Sequence, residues 1–160
     1  MEEQIKDYLE KHKIKYVFHS HPAVFTCEEA EVHCKHVPGL ACKNLFLKDK
    51  KSGKVYLVSV PAKKRVDLKA LAAKLGEKHL SFGSAQRLKE YLNLEPGSVS
   101  PLGLLNDKKK EVIYIIDKKL WDVDIVNFHP NINTSSLEMK REDFRKYVDS
   151  LEQKVKIIEL

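Results

Sequence analysis

The chain has 160 residues, 42% of them hydrophobic and 32% charged, with a formal net charge of +6. That length holds one domain with a true core, and the composition excludes a wholly disordered chain. No apolar run reaches the roughly 18 residues that span a bilayer, and the acidic opening Met1-Glu2-Glu3-Gln4 lacks the basic and apolar regions of a signal peptide, so a cytoplasmic location is expected.

Ile5, Tyr8, Leu9 and His12 recur at helical spacing and predict an opening helix. Residues 14–19 alternate as a strand, which His21-Pro22 ends. Thr26-Cys27-Glu28-Glu29 is a capping box for a short helix that stops before Pro38-Gly39. Residues 44–48 and 55–60 predict paired strands, with the turn supplied by Asp49 to Lys54. Asp67 begins a helix with Leu68, Leu71, Ala72 and Leu75 on one face and Gly76 as its stop. Leu80-Ser81-Phe82 predicts a short strand, and Ser84 caps a helix carrying Leu88, Tyr91 and Leu92. Residues 95–102 read as a loop rich in Gly, Pro and Ser. Strands are expected over 112–116, 125–128, 136–139 and 155–158. Phe144, Tyr147, Val148 and Leu151 mark the helix before the last of these. There is no internal repeat and no Pro/Ser-rich linker. The expectation is a single α/β domain over residues 1–160, built on a mixed sheet.

Cys27, Cys34 and Cys42 are odd in number and form no CxxC pair, so they read as reduced thiols. Between Lys43 and Lys74 there are ten basic residues against two acidic ones, a local excess of +8 that leaves the remainder near neutral. Such a segment suggests a polyanion partner, since phosphate contacts come largely from Lys and Arg; the alternative is solvated surface lysine.

The chain lacks GxGxxG, GxxxxGK[ST], GxSxG and HExxH, which removes sequence support for nucleotide-fold and zincin readings. His19, His21, Cys27, His33, Cys34, His36 and Cys42 are the densest set of metal-ligand types, but their spacing matches no zinc-finger pattern. Surface histidines and small buried thiols are the preferred reading, with no metal.

Three segments carry more. Lys43-Asn44-Leu45-Phe46-Leu47 puts a lysine at the mouth of an apolar strand, where it can meet a carbonyl or phosphate. Gly97-Ser98-Val99-Ser100-Pro101 is a loop able to turn backbone N–H groups toward one point, which suits an oxyanion. Val126-Asn127-Phe128-His129-Pro130 ends an apolar strand in polar groups, and His129 can serve as acid, base or donor.

In this order, the three segments resemble the YbaK/prolyl-tRNA-synthetase editing-domain superfamily, and within it the free-standing prolyl-tRNA editing subfamily. His21-Pro22-Ala23-Val24-Phe25-Thr26, Arg65-Val66-Asp67-Leu68, Leu80-Ser81-Phe82, Leu94-Glu95-Pro96 and Leu104-Leu105-Asn106-Asp107 extend the resemblance nearly end to end.

The resemblance implies an α/β fold with a curved mixed β-sheet flanked by helices. It implies a trans-acting aminoacyl-tRNA deacylase that hydrolyses the ester of mischarged Ala-tRNA(Pro), with no metal or other cofactor. A synthetase pocket rejects a smaller amino acid poorly, so a second, smaller hydrolytic site supplies the missing discrimination. By the same resemblance, Lys43 holds the 3′ end. The loop Gly97, Ser98, Val99, Ser100 and Pro101 binds and polarises the ester carbonyl. Asn44, Phe46 and His129 contact substrate. No nucleophile–base pair is evident, so water is the expected nucleophile, activated by the terminal ribose hydroxyl. Lys48, Lys50, Lys51, Lys54, Lys63, Lys64 and Arg65 are the expected tRNA-binding face, and prolyl-tRNA synthetase is an expected associate. Cys42 beside Lys43 leaves amino-acid preference open. A deacylase for another small product such as Cys-tRNA(Pro), or a non-catalytic tRNA-binding module, are the alternatives.

Overall fold

The computed structural model describes residues 1–160, the side chain of Cys27 excepted. Its helices are α1 (Glu3–Lys11), α2 (Cys27–His33), α3 (Leu68–Leu75), α4 (Ala85–Leu92), α5 (Lys118–Asp122) and α6 (Arg141–Ser150). Its strands are β1 (Val17–Ser20), β2 (Leu40–Asp49), β3 (Val55–Pro61), β4 (Leu80–Phe82), β5 (Val112–Asp117), β6 (Ile125–Phe128), β7 (Ser135–Lys140) and β8 (Val155–Ile158).

The strands form one mixed, unclosed sheet in the order β1-β7-β6-β2-β3-β5-β8, with β4 paired to β2. β2 is the hinge of this arrangement. Its first residues run parallel to β6, Leu40 beside Val126 and Ala41 beside Asn127. From Cys42 it pairs antiparallel with β3. Gly39 permits the close start: its φ is +98°, and a Cβ there would lie 2.6 Å from Ile125 Cγ2.

β3 and β5 are apolar on both faces, as central strands covered on both sides should be. Leu57 and Tyr114 point into one core with Leu9, Leu92, Phe128, Phe144 and Tyr147. Tyr56, Val58 and Ile115 point into a second core with Leu71 and Leu75 of α3.

The expected caps form. Thr26 accepts from the Glu29 amide, Asp67 from Lys69 and Ala70, and Ser84 from Arg87, while Gly76 closes α3 in the left-handed region. Several boundaries differ. The first strand begins at Val17, not residue 14, because Ile14 turns into the core and its amide bonds the Leu9 carbonyl at 2.8 Å. β2 starts four residues early, extended by its parallel contact with β6. Two 3-10 turns, Pro96–Ser98 and Pro101–Asn106, occupy the predicted loop. The short α5, capped by Asp117, was not expected.

Candidate active site

Two of the three chemistry-bearing segments are joined directly, Asn44 of β2 to Val99 of the loop. The parallel pairing of β2 with β6 ends at Ala41 beside Asn127, two residues before Lys43 on one strand and two before His129 on the other. The region beyond the carboxyl ends of parallel strands, here the crevice end, is a common place for ligands.

Asn44 ties β2 to the loop at 97–101. The Ser59 hydroxyl donates to Asn44 Oδ1, and Tyr114 OH lies 2.8 Å from the same Ser59 oxygen. Burial pushes the Tyr114 phenol far up, so it stays protonated and donates. With Oδ1 engaged, Asn44 Nδ2 donates to the Val99 carbonyl at 3.4 Å. Because the peptide is planar, this bond also fixes where the Ser100 N–H points, away from Asn44.

The rest of the loop is pinned from below. Ser100 is fully buried and its Oγ accepts from the Leu102 amide at 3.0 Å. The Pro101 carbonyl accepts from Tyr147 OH at 2.6 Å, and the Ser98 amide donates to Glu95 at 2.9 Å. The amides of exposed Gly97 and half-buried Val99 donate to no described residue. A pinned loop with undonated amides can receive a carbonyl or oxyanion. Gly97 is not among the positive-φ glycines, and a Cβ built on it would meet only the Phe25 ring, at 3.7 Å.

His129, half-buried, donates from Nδ1 to the Ser135 carbonyl at 2.9 Å, which leaves Nε2 as an acceptor. Burial lowers its pKa; the bond to Ser135 acts against this and the nearby His21 with it. Ser136 Oγ lies 2.9 Å from His21 Nε2 and 3.3 Å from His129 Nδ1. His21 in turn donates from Nδ1 to the Pro22 carbonyl at 2.9 Å. The chain of donors therefore runs from His129 through Ser136 to His21. This partnership was not read in the sequence, where His21 stood as a strand terminator, as one of the metal-ligand types and as part of the family resemblance.

Lys43 is half-buried opposite Val60. Alternation along β2 sends it to the face opposite Asn44. No hydrogen bond or ion pair among the described residues joins it to the loop. Burial pushes the neighbouring Cys42 thiol up to about 12, so it is a neutral thiol and no nucleophile at ordinary pH. Burial likewise raises Cys34, while Cys27 lies outside the described side chains. Among the described residues, no three His, Cys, Asp or Glu groups are placed to hold a metal ion.

Three sequence-based assignments change. Phe46 is 5% exposed and packs in the core 6.1 Å from Tyr91, so it does not line the crevice. Lys64 donates to buried Asp117 at 2.9 Å and to the Leu160 carbonyl, so its ammonium ties β3 to β5 and the chain end rather than facing phosphate. The basic segment is also split. Lys48 pairs opposite Val55 at one end of the hairpin, with exposed Lys50, Lys51 and Lys54 in the turn beyond it. Lys63 and Arg65, both exposed, follow Pro61 at the crevice end, opposite Cys42. At about 3.3 Å per strand residue, the two groups lie roughly 20 Å apart.

The sequence profile of the aminoacyl-tRNA editing domain matches residues 21–147. The chain is 40% identical to the prolyl-tRNA editing protein ProX of Acetoanaerobium sticklandii, over 95% of this chain and 93% of that one. It is 36% identical to prolyl-tRNA synthetase associated domain-containing protein 1 of Xenopus laevis, over 90% and 88%. In fold it is similar to a solved structure of a proposed trans-editing enzyme for prolyl tRNA synthetase, with a TM-score of 0.74, 19% identity and 100% and 98% coverage. The crystal structure of hypothetical protein APE2540 gives the same TM-score at 18% identity, over 96% and 97%. With Lys43, the loop at 97–101 and His129 all inside the matched span, the chain belongs to the aminoacyl-tRNA editing domain family.

Proposed function

We propose that this protein is a trans-acting deacylase that hydrolyses the ester of mischarged Ala-tRNA(Pro), with water as the nucleophile. The observation that carries it is the loop at Gly97 to Pro101, held by Asn44, Tyr147 and Ser100's own side chain while its outer amides donate to nothing described. Water attacks the ester carbonyl carbon. The loop amides receive the negative charge that develops on the carbonyl oxygen, a contribution commonly worth a hundredfold or more per donor. The ester then breaks to release alanine and the terminal ribose hydroxyl.

Asn44 acts through the loop and is a positioning residue. His129 offers Nε2 to an ammonium or hydroxyl of the substrate, a role that its lowered pKa preserves. Lys43 is assigned to the 3′ end; its flexible four-carbon stem carries a point charge suited to phosphate or carbonyl oxygen. Neutral Cys42 supports water rather than thiolate attack.

Lys63 and Arg65 are assigned to the tRNA backbone near the crevice, and Lys48, Lys50, Lys51 and Lys54 to a more distant stretch. Prolyl-tRNA synthetase, named in relatives of the chain, is the proposed source of substrate, and the cytoplasm the proposed location. Among the described residues, no helix is long and apolar enough to cross a membrane.

The deciding experiment incubates the protein with Ala-, Cys- and Pro-tRNA(Pro). Rapid loss of Ala-tRNA(Pro) with Pro-tRNA(Pro) spared is the expected result. Stability of all three esters would overturn the proposal, and preference for Cys-tRNA(Pro) would reassign the substrate.

A further inference from the structure

We propose that the ring of Phe25 is a stacking platform for the 3′-terminal adenine of the tRNA, a base subsite adjoining the ester cradle. Phe25 is 73% exposed, the highest exposure among the large hydrophobic residues. Exposed apolar residues are ordinary, but this one is presented by a fixed frame. On one side, Val24 is buried, its amide donates to the Asn133 carbonyl at 3.2 Å, and its own carbonyl accepts from Asn133 Nδ2 at 3.3 Å. On the other, Thr26 caps α2 by accepting from the Glu29 amide at 3.1 Å. Phe25 is thus held outward between an anchored residue and a helix cap.

Its ring stands over the loop. A Cβ built on Gly97 would lie 3.7 Å from Phe25 Cδ1, ordinary van der Waals contact. The inference rests on the deacylase reading for the position of the ester. An aminoacyl ester and the terminal adenine are carried by the same ribose. Once the loop holds the ester carbonyl, the base is one sugar away, at the place Phe25 occupies. Unpaired bases are commonly taken by stacking on aromatic rings. A phenyl ring has no polar atom with which to read base identity. That suits a terminal nucleotide that is adenosine in every tRNA, where stacking suffices. The Glu31–Lys63 ion pair, 3.1 Å long, brings α2 against the segment that carries Lys63 and exposed Arg65, which can meet the preceding phosphates.

The test uses the full chain and an acceptor-stem hairpin RNA ending in CCA, with 2-aminopurine replacing the terminal adenine. Stacking quenches the fluorescence of this base. Wild type should quench it, Phe25→Ala should not, and Phe25→Trp should restore quenching. On Ala-tRNA(Pro), Phe25→Ala should raise KM by about tenfold or more with little change in kcat, in line with the energies of base–aromatic stacking. The melting temperature should hold, because the ring is exposed. Wild-type quenching and KM in Phe25→Ala, in a protein that deacylates, would overturn the platform and leave the deacylase standing. Phe25-dependent quenching without any deacylation would keep the platform and remove the deacylase reading. Neither quenching nor deacylation in wild type would overturn both.

Discussion

Asn44 and Lys43 are adjacent in sequence, yet the strand sends them to opposite faces. The Asn44 amide donates to the loop at Val99, and the Lys43 ammonium is the group proposed to meet the 3′ end. Lys43→Ala should therefore leave the fold intact, because the side chain holds no described partner. Deacylation should fall by orders of magnitude. Near wild-type turnover in a folded variant would remove Lys43 from the site. Gly97 makes a contrasting case. Its backbone is not in the left-handed region, and a Cβ there meets only ordinary contact with Phe25. Gly97→Val should keep its melting temperature while the branched side chain fills the approach to the amides. Loss of about a hundredfold in kcat/KM is expected, and unchanged kinetics would refute the cradle.

At the scale of elements, the β2–β3 hairpin separates two jobs. One end carries the proposed site at Lys43 and Asn44, and the far end carries a turn built around Asp49. That carboxylate is buried and accepts from the amides of Lys51, Ser52 and His79. The bond from Ser52 is foremost in holding its pKa at about 2, with burial opposing. An unfolded aspartate ionises near 3.9. The stabilisation is therefore present above about pH 4 and lost as pH falls toward 2. Asp49→Asn should flatten the thermal-stability profile across that window, as melts at pH 6, 4 and 2.5 would reveal. The lysines around this turn belong to a different measurement. Replacing Lys50, Lys51 and Lys54 by Gln should raise KM, weaken its salt dependence and spare kcat, the mark of lost phosphate contact away from the chemistry. A salt slope equal to wild type would make the turn a solvated surface only.

Across the whole molecule, the sheet divides two cores, and charged groups tie its far edge to the chain end. Lys64 bonds buried Asp117 and the Leu160 carbonyl, while Lys74 bonds the Glu159 carbonyl. Removing Lys64 would leave a buried carboxylate without its cation. Lys64→Ala should cost about 3 kcal/mol, read by denaturant unfolding, with the KM of the remaining folded enzyme little altered. A large KM effect with unchanged stability would return Lys64 to the tRNA face.

Features that depend only on neighbours along the chain were legible from the residues alone. Thr26, Asp67, Ser84 and Gly76 mark helix ends because a cap acts within three residues of itself. Runs such as 112–116 announce buried strands by composition alone. The motifs at Lys43, Gly97–Pro101 and His129 carried the resemblance to the family. Tertiary structure decided what depends on partners distant in sequence. The extra length of β2 comes from β6, more than eighty residues on. The Ser59–Asn44–Val99 brace and the pairing of His129 with Ser136 and His21 join segments that no local pattern links. Phe46 reads as a site residue beside Lys43 but lies in the core, because strand period two settles its face and only packing shows which face is covered. Lys64 sits among equivalent-looking lysines, and its buried carboxylate partner, 53 residues away, removes it from them.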